Sequence, residues 1–184
     1  MDSLSDASLM LKVKSGDTEK LGLLYERYKK RLFGFFYQMN HNVDLSEDLV
    51  QNVFIKILKY KHNYSDESKF LAWIFQIARN VSYDNYNKSK KEQNNINLTD
   101  VAYKIDNKNN AEQTIASNED LSTLKIAMQK LTYEESEILI LSKFKELKYK
   151  EIGEIIGCSE GSARIRAHRA LNELKVIFFK LEKR

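Results

Sequence analysis

The chain contains no proline at all, so every helix end in it must be set by side-chain caps, glycine or polar runs. A single cysteine, Cys158, excludes an internal disulfide and any cysteine-based zinc cluster. The three histidines, His41, His62 and His168, lie far apart and suggest no metal site. No run is long and apolar enough to cross a bilayer. The N-terminal MDSLSDASLMLKVKSGD lacks the basic region and apolar core of a secretion signal. A cytoplasmic location is the expectation, with no cofactor. Strand-like alternation is missing too, while most segments place apolar residues at i, i+3, i+4, which makes the class all-α.

What the chain does have is a distinctive C-terminal stretch at 151–171, EIGEIIGCSEGSARIRAHRAL. Ile152, Ile155 and Ile156 form an apolar stripe on one short helix. Gly157 can end it at positive φ, and Ser159 can cap a second helix with Glu160 in its first turn. That second helix carries Arg164, Arg166, His168 and Arg169 between apolar Ile165 and Leu171. A short helix, a tight turn and a basic helix have the form of a helix-turn-helix, whose second helix enters the DNA major groove. The competing reading is an ordinary helical hairpin with a solvated basic face. The net charge of +4 over 184 residues is too mild to decide by itself.

Upstream, 4–13 is a short amphipathic helix, and Thr18 is placed to cap a second helix running from Leu21 to Phe36. Polar 40–44 breaks it. Ser46 is a candidate cap for a third helix, with Glu47 and Asp48 in its first turn, Leu45 and Val50 as a staple, and Val50, Val53, Phe54 and Ile57 inward. After a loop at 61–64, Ser65 with Asp66 and Glu67 can open a fourth helix carrying Phe70, Trp73, Ile74, Ile77, Ala78 and Val81. From about Tyr86 the composition turns to Lys and Asn, and 106–117 is similarly polar, which suits an interdomain linker; a loop lying on a partner surface competes. Helical pattern resumes at Asn118, and Thr132 with Glu135 matches a capping box. The organisation expected is two small helical domains, 1–90 and 118–184, joined by a flexible linker at 91–117.

The fourth helix adds a second constellation. Asn63 and Tyr64 precede it, and Trp73, Phe75, Gln76, Arg79, Asn80 and Tyr83 lie along it, followed by Lys88, Lys90 and Lys91. Rings interleaved with cations and amides suit unpaired nucleic acid, where each stacked base is worth roughly 1–3 kcal/mol. Core packing competes, above all for Trp73. The third helix instead shows Glu47, Asp48, Gln51 and Asn52, a face that repels phosphate and would meet protein; a solvated face competes there.

Three stretches together, SEDLVQNVFIKIL (46–58), FLAWIFQIARN (70–80) and YKEIGEIIGCSEGSARIRAHRAL (149–171), resemble the sigma factors of the sigma-seventy family, in the small two-domain extracytoplasmic-function group. The chain departs from that pattern at Thr132 (often Pro), Lys148 (usually a cap residue), Gly153 (usually Ala) and Ser162-Ala163 (usually Thr-Val). The resemblance implies a promoter-specific transcription initiation factor that binds bacterial core RNA polymerase and promoter DNA, and that an anti-sigma factor holds inactive. It implies polymerase contacts at Asp48, Gln51, Asn52 and Phe54. The minus-ten element would be held by Asn63, Tyr64, Trp73, Gln76, Arg79, Asn80 and Tyr83, and the minus-thirty-five element by Ser162, Arg164, Arg166, His168 and Arg169. The linker would follow the polymerase toward the RNA exit path. Two other readings compete: a polymerase-independent helix-turn-helix regulator and a helical interaction adaptor. No nucleophile–base pairing, phosphate loop or metal spacing points to an enzyme.

Overall fold

The computed structural model describes residues 4–65, 69–96, 115–144 and 147–182, without the side chains of 93–96, 115–120 and 144. Among these residues the regular structure is helical throughout. The helices are α1 (Asp6–Lys14), α2 (Lys20–Asn40), α3 (Val43–Tyr60), α4 (Phe70–Ile96), α5 (Ile115–Gln129), α6 (Tyr133–Leu139), α7 (Tyr149–Ile156) and α8 (Glu160–Glu182). A 3-10 turn, Lys61–Asn63, follows α3, and a π-helical turn, Ile140–Phe144, extends α6.

The first half is built on large side chains. Leu24, Tyr28, Leu32, Phe35 and Phe36 of α2 repeat at helical spacing and are buried against Val50, Val53, Phe54 and Ile57 of α3 and Phe70, Ile74, Phe75 and Ala78 of α4. The rings meet edge to face, as their quadrupoles favour: Phe35 and Phe75 at 5.9 Å, Tyr28 and Phe70 at 5.3 Å. Helix α1 is tied down through Asp6, whose carboxylate accepts from Arg27 and from the Tyr28 hydroxyl, both at 2.6 Å.

Without proline, the helix ends rely on other devices, and some differ from expectation. Helix α3 begins a turn ahead of Ser46. Asn42 is the cap, its Oδ1 accepting the Leu45 N–H at 2.9 Å, so Leu45 lies inside the helix and not in a staple. Ser46 is buried within the helix and donates its hydroxyl to the Asn42 carbonyl. His41 ends α2 in the left-handed region, at φ 55°. Glu19, not Thr18, precedes α2, and makes no side-chain cap bond. Helix α4 continues past Tyr86 to Ile96, because Lys, Glu and Gln lose little rotamer freedom in a helix. Asp66 and Glu67, expected beside a Ser65 cap, lie outside the described residues, as does most of the expected linker, 97–114. Its two ends belong to α4 and α5.

The second half uses smaller residues. Ala163, Ala167 and Ala170 form a buried stripe on α8 that lets α6 and α7 approach closely. The capping box is present: Thr132 Oγ1 accepts the Glu135 N–H at 3.3 Å, and the Glu135 carboxylate accepts the Thr132 N–H at 2.9 Å. Gly157 ends α7 at φ 75°. The N–H groups of Gly157 and Cys158 both bond to the Gly153 carbonyl at 2.9 Å, and a Cβ at Gly153 would stand 2.6 Å from the Cys158 oxygen. The turn therefore closes directly on Gly153, and alanine there requires the turn to move. The two halves are not held apart: α4 packs on α7 and the π turn on α2, so buried residues of both form one continuous cluster.

Candidate protein and nucleic-acid interfaces

Helix α3 presents Glu47, Asp48, Gln51 and Asn52 to solvent. Two apolar residues share that exposed side: Ile55, 61% exposed, and Leu58, 40% exposed. Sequence reasoning missed them, although their departure from the inward stripe of Val53, Phe54 and Ile57 is a readable signal. A cleft of about 360 Å³ adjoins this side, between α2 and α3, with Tyr25, Phe33 and Val50 on its walls and Lys29, Lys30, Glu47 and Gln51 around it. Phe54 is not an exposed contact. It is buried, with its ring 5.0 Å from that of Tyr25, and supports the face from beneath. The reason is periodicity: Phe54 follows Val50 and precedes Ile57 on the core side.

The loop before α4 has the same character. Asn63 is exposed, but Tyr64 is 1% exposed. Its ring sits edge-on to Trp73 at 5.1 Å and to Phe70 at 6.1 Å, and its carbonyl accepts from Lys14 Nζ at 2.7 Å. The expected stacking surface at Tyr64 is thereby corrected: the loop folds back and the ring becomes core. Trp73 is half-buried on the edge of this aromatic cluster.

Gln76, Arg79, Asn80 and Tyr83 follow at i, i+3, i+4 and i+7, and therefore share one face of α4. That face meets the second half. Gln76 Nε2 donates to the Glu154 carbonyl at 2.6 Å. Arg79 Nε donates to both carboxylate oxygens of Glu137 at 3.0 Å. Tyr83 lies edge-on to Tyr133 at 5.4 Å, and Tyr86 lies at 4.9 Å from the same ring. Asn80 is exposed. The Glu137 side chain is 3% exposed and that of Arg79 is 33% exposed. Burial raises the Glu137 carboxyl above the ordinary 4.5, while the Arg79 hydrogen bond and charge pull it back down. Tyr86, Tyr133 and Glu137 were not singled out from sequence. Glu137 is nonetheless conspicuous as the one acid in the buried run 137–141.

In the helix-turn-helix, Ser159 Oγ accepts the Ser162 N–H at 3.2 Å, and the two hydroxyls bond at 2.9 Å, so Ser162 serves the cap. The structure separates the basic residues of α8 onto different sides. Arg164 and His168 are one turn apart and exposed; Arg164 bonds Glu160 at 3.1 Å, its guanidinium 5.6 Å from the centre of the Tyr149 ring, and His168 pairs with Asn172 at 3.3 Å. Arg166 and Arg169, also exposed, instead border a cleft of about 210 Å³ with Arg79, Glu134, Glu135, Glu137 and Ile156.

The chain matches the family models for sigma-70 region 2 over residues 24–92 and sigma-70 region 4 over residues 124–174. It is 31% identical over 155 residues to the ECF RNA polymerase sigma factor SigM of Bacillus subtilis, covering 84% of this chain and 93% of SigM. Among solved structures, it superimposes with a TM-score of 0.70 and 19% identity on that of CnrH in complex with the cytosolic domain of CnrY, covering 95% of this chain and 97% of that one. A second similar structure, at TM-score 0.66 and 23% identity, is the sigma factor RpoE with the anti-sigma factor NepR from Bartonella quintana, covering 86% of this chain and 96% of that one. Both solved structures share the two-part helical fold. Two family models in the order set by the sequence motifs, together with a 31% identical relative matched over most of its length, establish that this chain belongs to the sigma-70 family of RNA polymerase sigma factors, in the extracytoplasmic-function group.

Proposed function

We propose that this sigma factor docks through the outer face of α3 on bacterial core RNA polymerase and directs it to promoters that it reads with two separate DNA-binding surfaces. On α3, Asp48, Gln51 and Asn52 provide the polar contacts, Ile55 and Leu58 the apolar ones, and Phe54 the support below them. Asn63, Trp73, Gln76, Arg79, Asn80 and Tyr83 hold the opened minus-ten element, Arg79 on phosphate and Asn80 on a base edge, with Tyr64 fixing the loop. Extruding a base costs a few kcal/mol of stacking, which a ring-lined face beside Trp73 can offset. Arg164 and His168 reach base edges or phosphates of the minus-thirty-five element, while Arg166 and Arg169 track the backbone and Ser162 secures the helix start. Residues 1–90 and 118–184 are the working domains, and 91–117 joins them. The chain itself supplies no catalytic group, since RNA synthesis belongs to the polymerase, and it works in the cytoplasm, where an anti-sigma factor restrains it.

The observation that carries this reading is the single α4 face on which Gln76, Arg79, Asn80 and Tyr83 align beside Trp73, in a chain that also holds a helix-turn-helix. Reconstituting the protein with bacterial core polymerase on a library of genomic fragments is the test. Specific transcripts that depend on the protein are expected. Specific duplex binding by the protein alone, with no polymerase association, would make it an independent regulator instead.

A further inference from the structure

Arg164 is exposed at the start of α8, yet it has partners on two different helices. We infer that Tyr149, at the start of α7, is a positioning residue for upstream-element reading: together with Glu160 it holds the Arg164 guanidinium in place before DNA arrives. This inference rests on the proposed role of Arg164 at the minus-thirty-five element.

An arginine side chain that is 65% exposed ordinarily samples many rotamers, and binding DNA must then fix them. Here the fixing is done within the protein. The guanidinium donates to the Glu160 carboxylate at 3.1 Å, one turn earlier on α8, and its central carbon stands 5.6 Å from the centre of the Tyr149 ring. A cation over a ring face is attracted by the ring quadrupole. The Glu160 pair alone is one exposed helical contact, which holds a long side chain loosely. The ring adds a second contact from another helix. Glu160 takes one of the five guanidinium donors, so others remain for a base edge or a phosphate.

Tyr149 is itself held. It is the first residue of α7, where the Glu151 carboxylate accepts the Lys148 N–H at 2.9 Å, and it is partly buried against the core. The close approach of Gly153 to the 158–160 turn fixes α7 against the start of α8, and with it the place of the ring beside Arg164. His168, the other exposed candidate on this side, instead pairs at 3.3 Å with Asn172 of its own helix. The cross-helix contact belongs to Arg164.

The test uses the full chain bound to core polymerase and a labelled promoter fragment recovered from the reconstitution, with affinity read by competition. Tyr149→Leu keeps apolar bulk and removes the ring. It is expected to weaken binding about two- to fivefold, the range of an exposed cation–π contact. Tyr149→Phe keeps the ring and should bind like the wild type. In an Arg164→Ala background, Tyr149→Leu should cause no further loss, because the ring acts through the guanidinium. Tyr149→Met takes the place of the leucine variant if that one does not fold. Unchanged affinity in Tyr149→Leu, with Arg164→Ala impaired, would overturn the positioning and leave the role of Arg164 intact. An equal loss with and without Arg164 would also overturn it, making the ring a packing residue only. So would a loss in Tyr149→Phe as large as in Tyr149→Leu, which would give the hydroxyl its own contact with DNA. Arg164→Ala binding as tightly as the wild type would instead defeat the proposed role of Arg164, and the positioning with it.

Discussion

The two helices proposed to meet DNA differ in what else they do. On α4, Gln76, Arg79 and Tyr83 are joined to the second half by a hydrogen bond, a buried ion pair and a ring contact. On α8, the hydrogen bonds of Arg164 and His168 go to residues one turn away on their own helix, Arg164 also lies over the Tyr149 ring of α7, and both are exposed. A substitution on α4 therefore acts on the protein's own architecture as well as on the proposed DNA contact, whereas one at Arg164 leaves the architecture nearly untouched. The contrast shows that a basic residue on a helix face has no fixed energetic meaning. Its partner and its burial decide whether it binds, braces or does both.

The largest test of the contrast lies beneath α4. Tyr64→Ala removes a ring that is 1% exposed between Phe70 and Trp73, and should cost about 3–5 kcal/mol of stability in denaturant unfolding. A loss under about 1 kcal/mol would return Tyr64 to the exposed, base-stacking role that its sequence position suggests. Next is Arg79→Ala, which strands the buried Glu137 carboxylate. It should destabilise the fold by about 3 kcal/mol, the low end for breaking a buried pair, because a third of the Arg79 side chain remains in water. Promoter opening should fail in the same variant, and an intact thermal transition would show that the pair carries little. Arg164→Ala should leave stability within about 1 kcal/mol, since its pair with Glu160 is exposed. It should weaken upstream-element binding instead: by about 1–3 kcal/mol at one base position if Arg164 reads an edge, or uniformly with a shallower salt slope if it holds a phosphate. Competition binding against single-base variants separates the two.

The smallest effect is in pH. Burial holds the Glu137 carboxyl above 4.5 in the folded chain, which therefore binds the proton more readily than the unfolded one. Folding stability should therefore gain as pH falls from neutral through the raised value, with the gain complete near 4.5. Arg79 on α4, Glu134 and Glu135 on α6, and Arg166 and Arg169 on α8 face the same cleft. His41 opposes the trend, because burial and then Lys125 lower its pKa from 6.5, so its protonation costs stability over the acid side of that value. The difference in pH slope between wild type and Glu137→Gln isolates the carboxylate. Equal slopes would mean that Glu137 does not titrate differently on folding.

Much of the molecule was legible from periodicity and capping chemistry. The Thr132–Glu135 box, the Gly157 stop and the Ser159 cap are local devices, each complete within six residues, and all three are present. The α3 start was misplaced because Asn42 and Ser46 are both competent caps one turn apart, and only the path of the preceding α2 end, turned by left-handed His41, selects between them. Tyr64 was assigned to a surface because aromatic residues suit binding and packing alike, whereas spacing already put Phe54 inward and only the family resemblance made it a contact. Burial separates the two roles, and burial depends on neighbours distant in sequence.

By itself, then, the sequence determined the helices, the helix-turn-helix, the exposed acidic-polar side of α3, the alignment of Gln76, Arg79, Asn80 and Tyr83, and the family. All of these follow from residue spacing or from motifs within a single segment. Only the tertiary structure decided that Arg79 meets Glu137, that Tyr133 lies against Tyr83 and Tyr86, and that Arg164 and Arg166 lie on different sides of α8 with respect to the first half. Residues 79 and 137 belong to separate halves of the chain. No local preference of either segment encodes their meeting, which comes from the fit of two complementary surfaces and the need of a buried charge for its counterion.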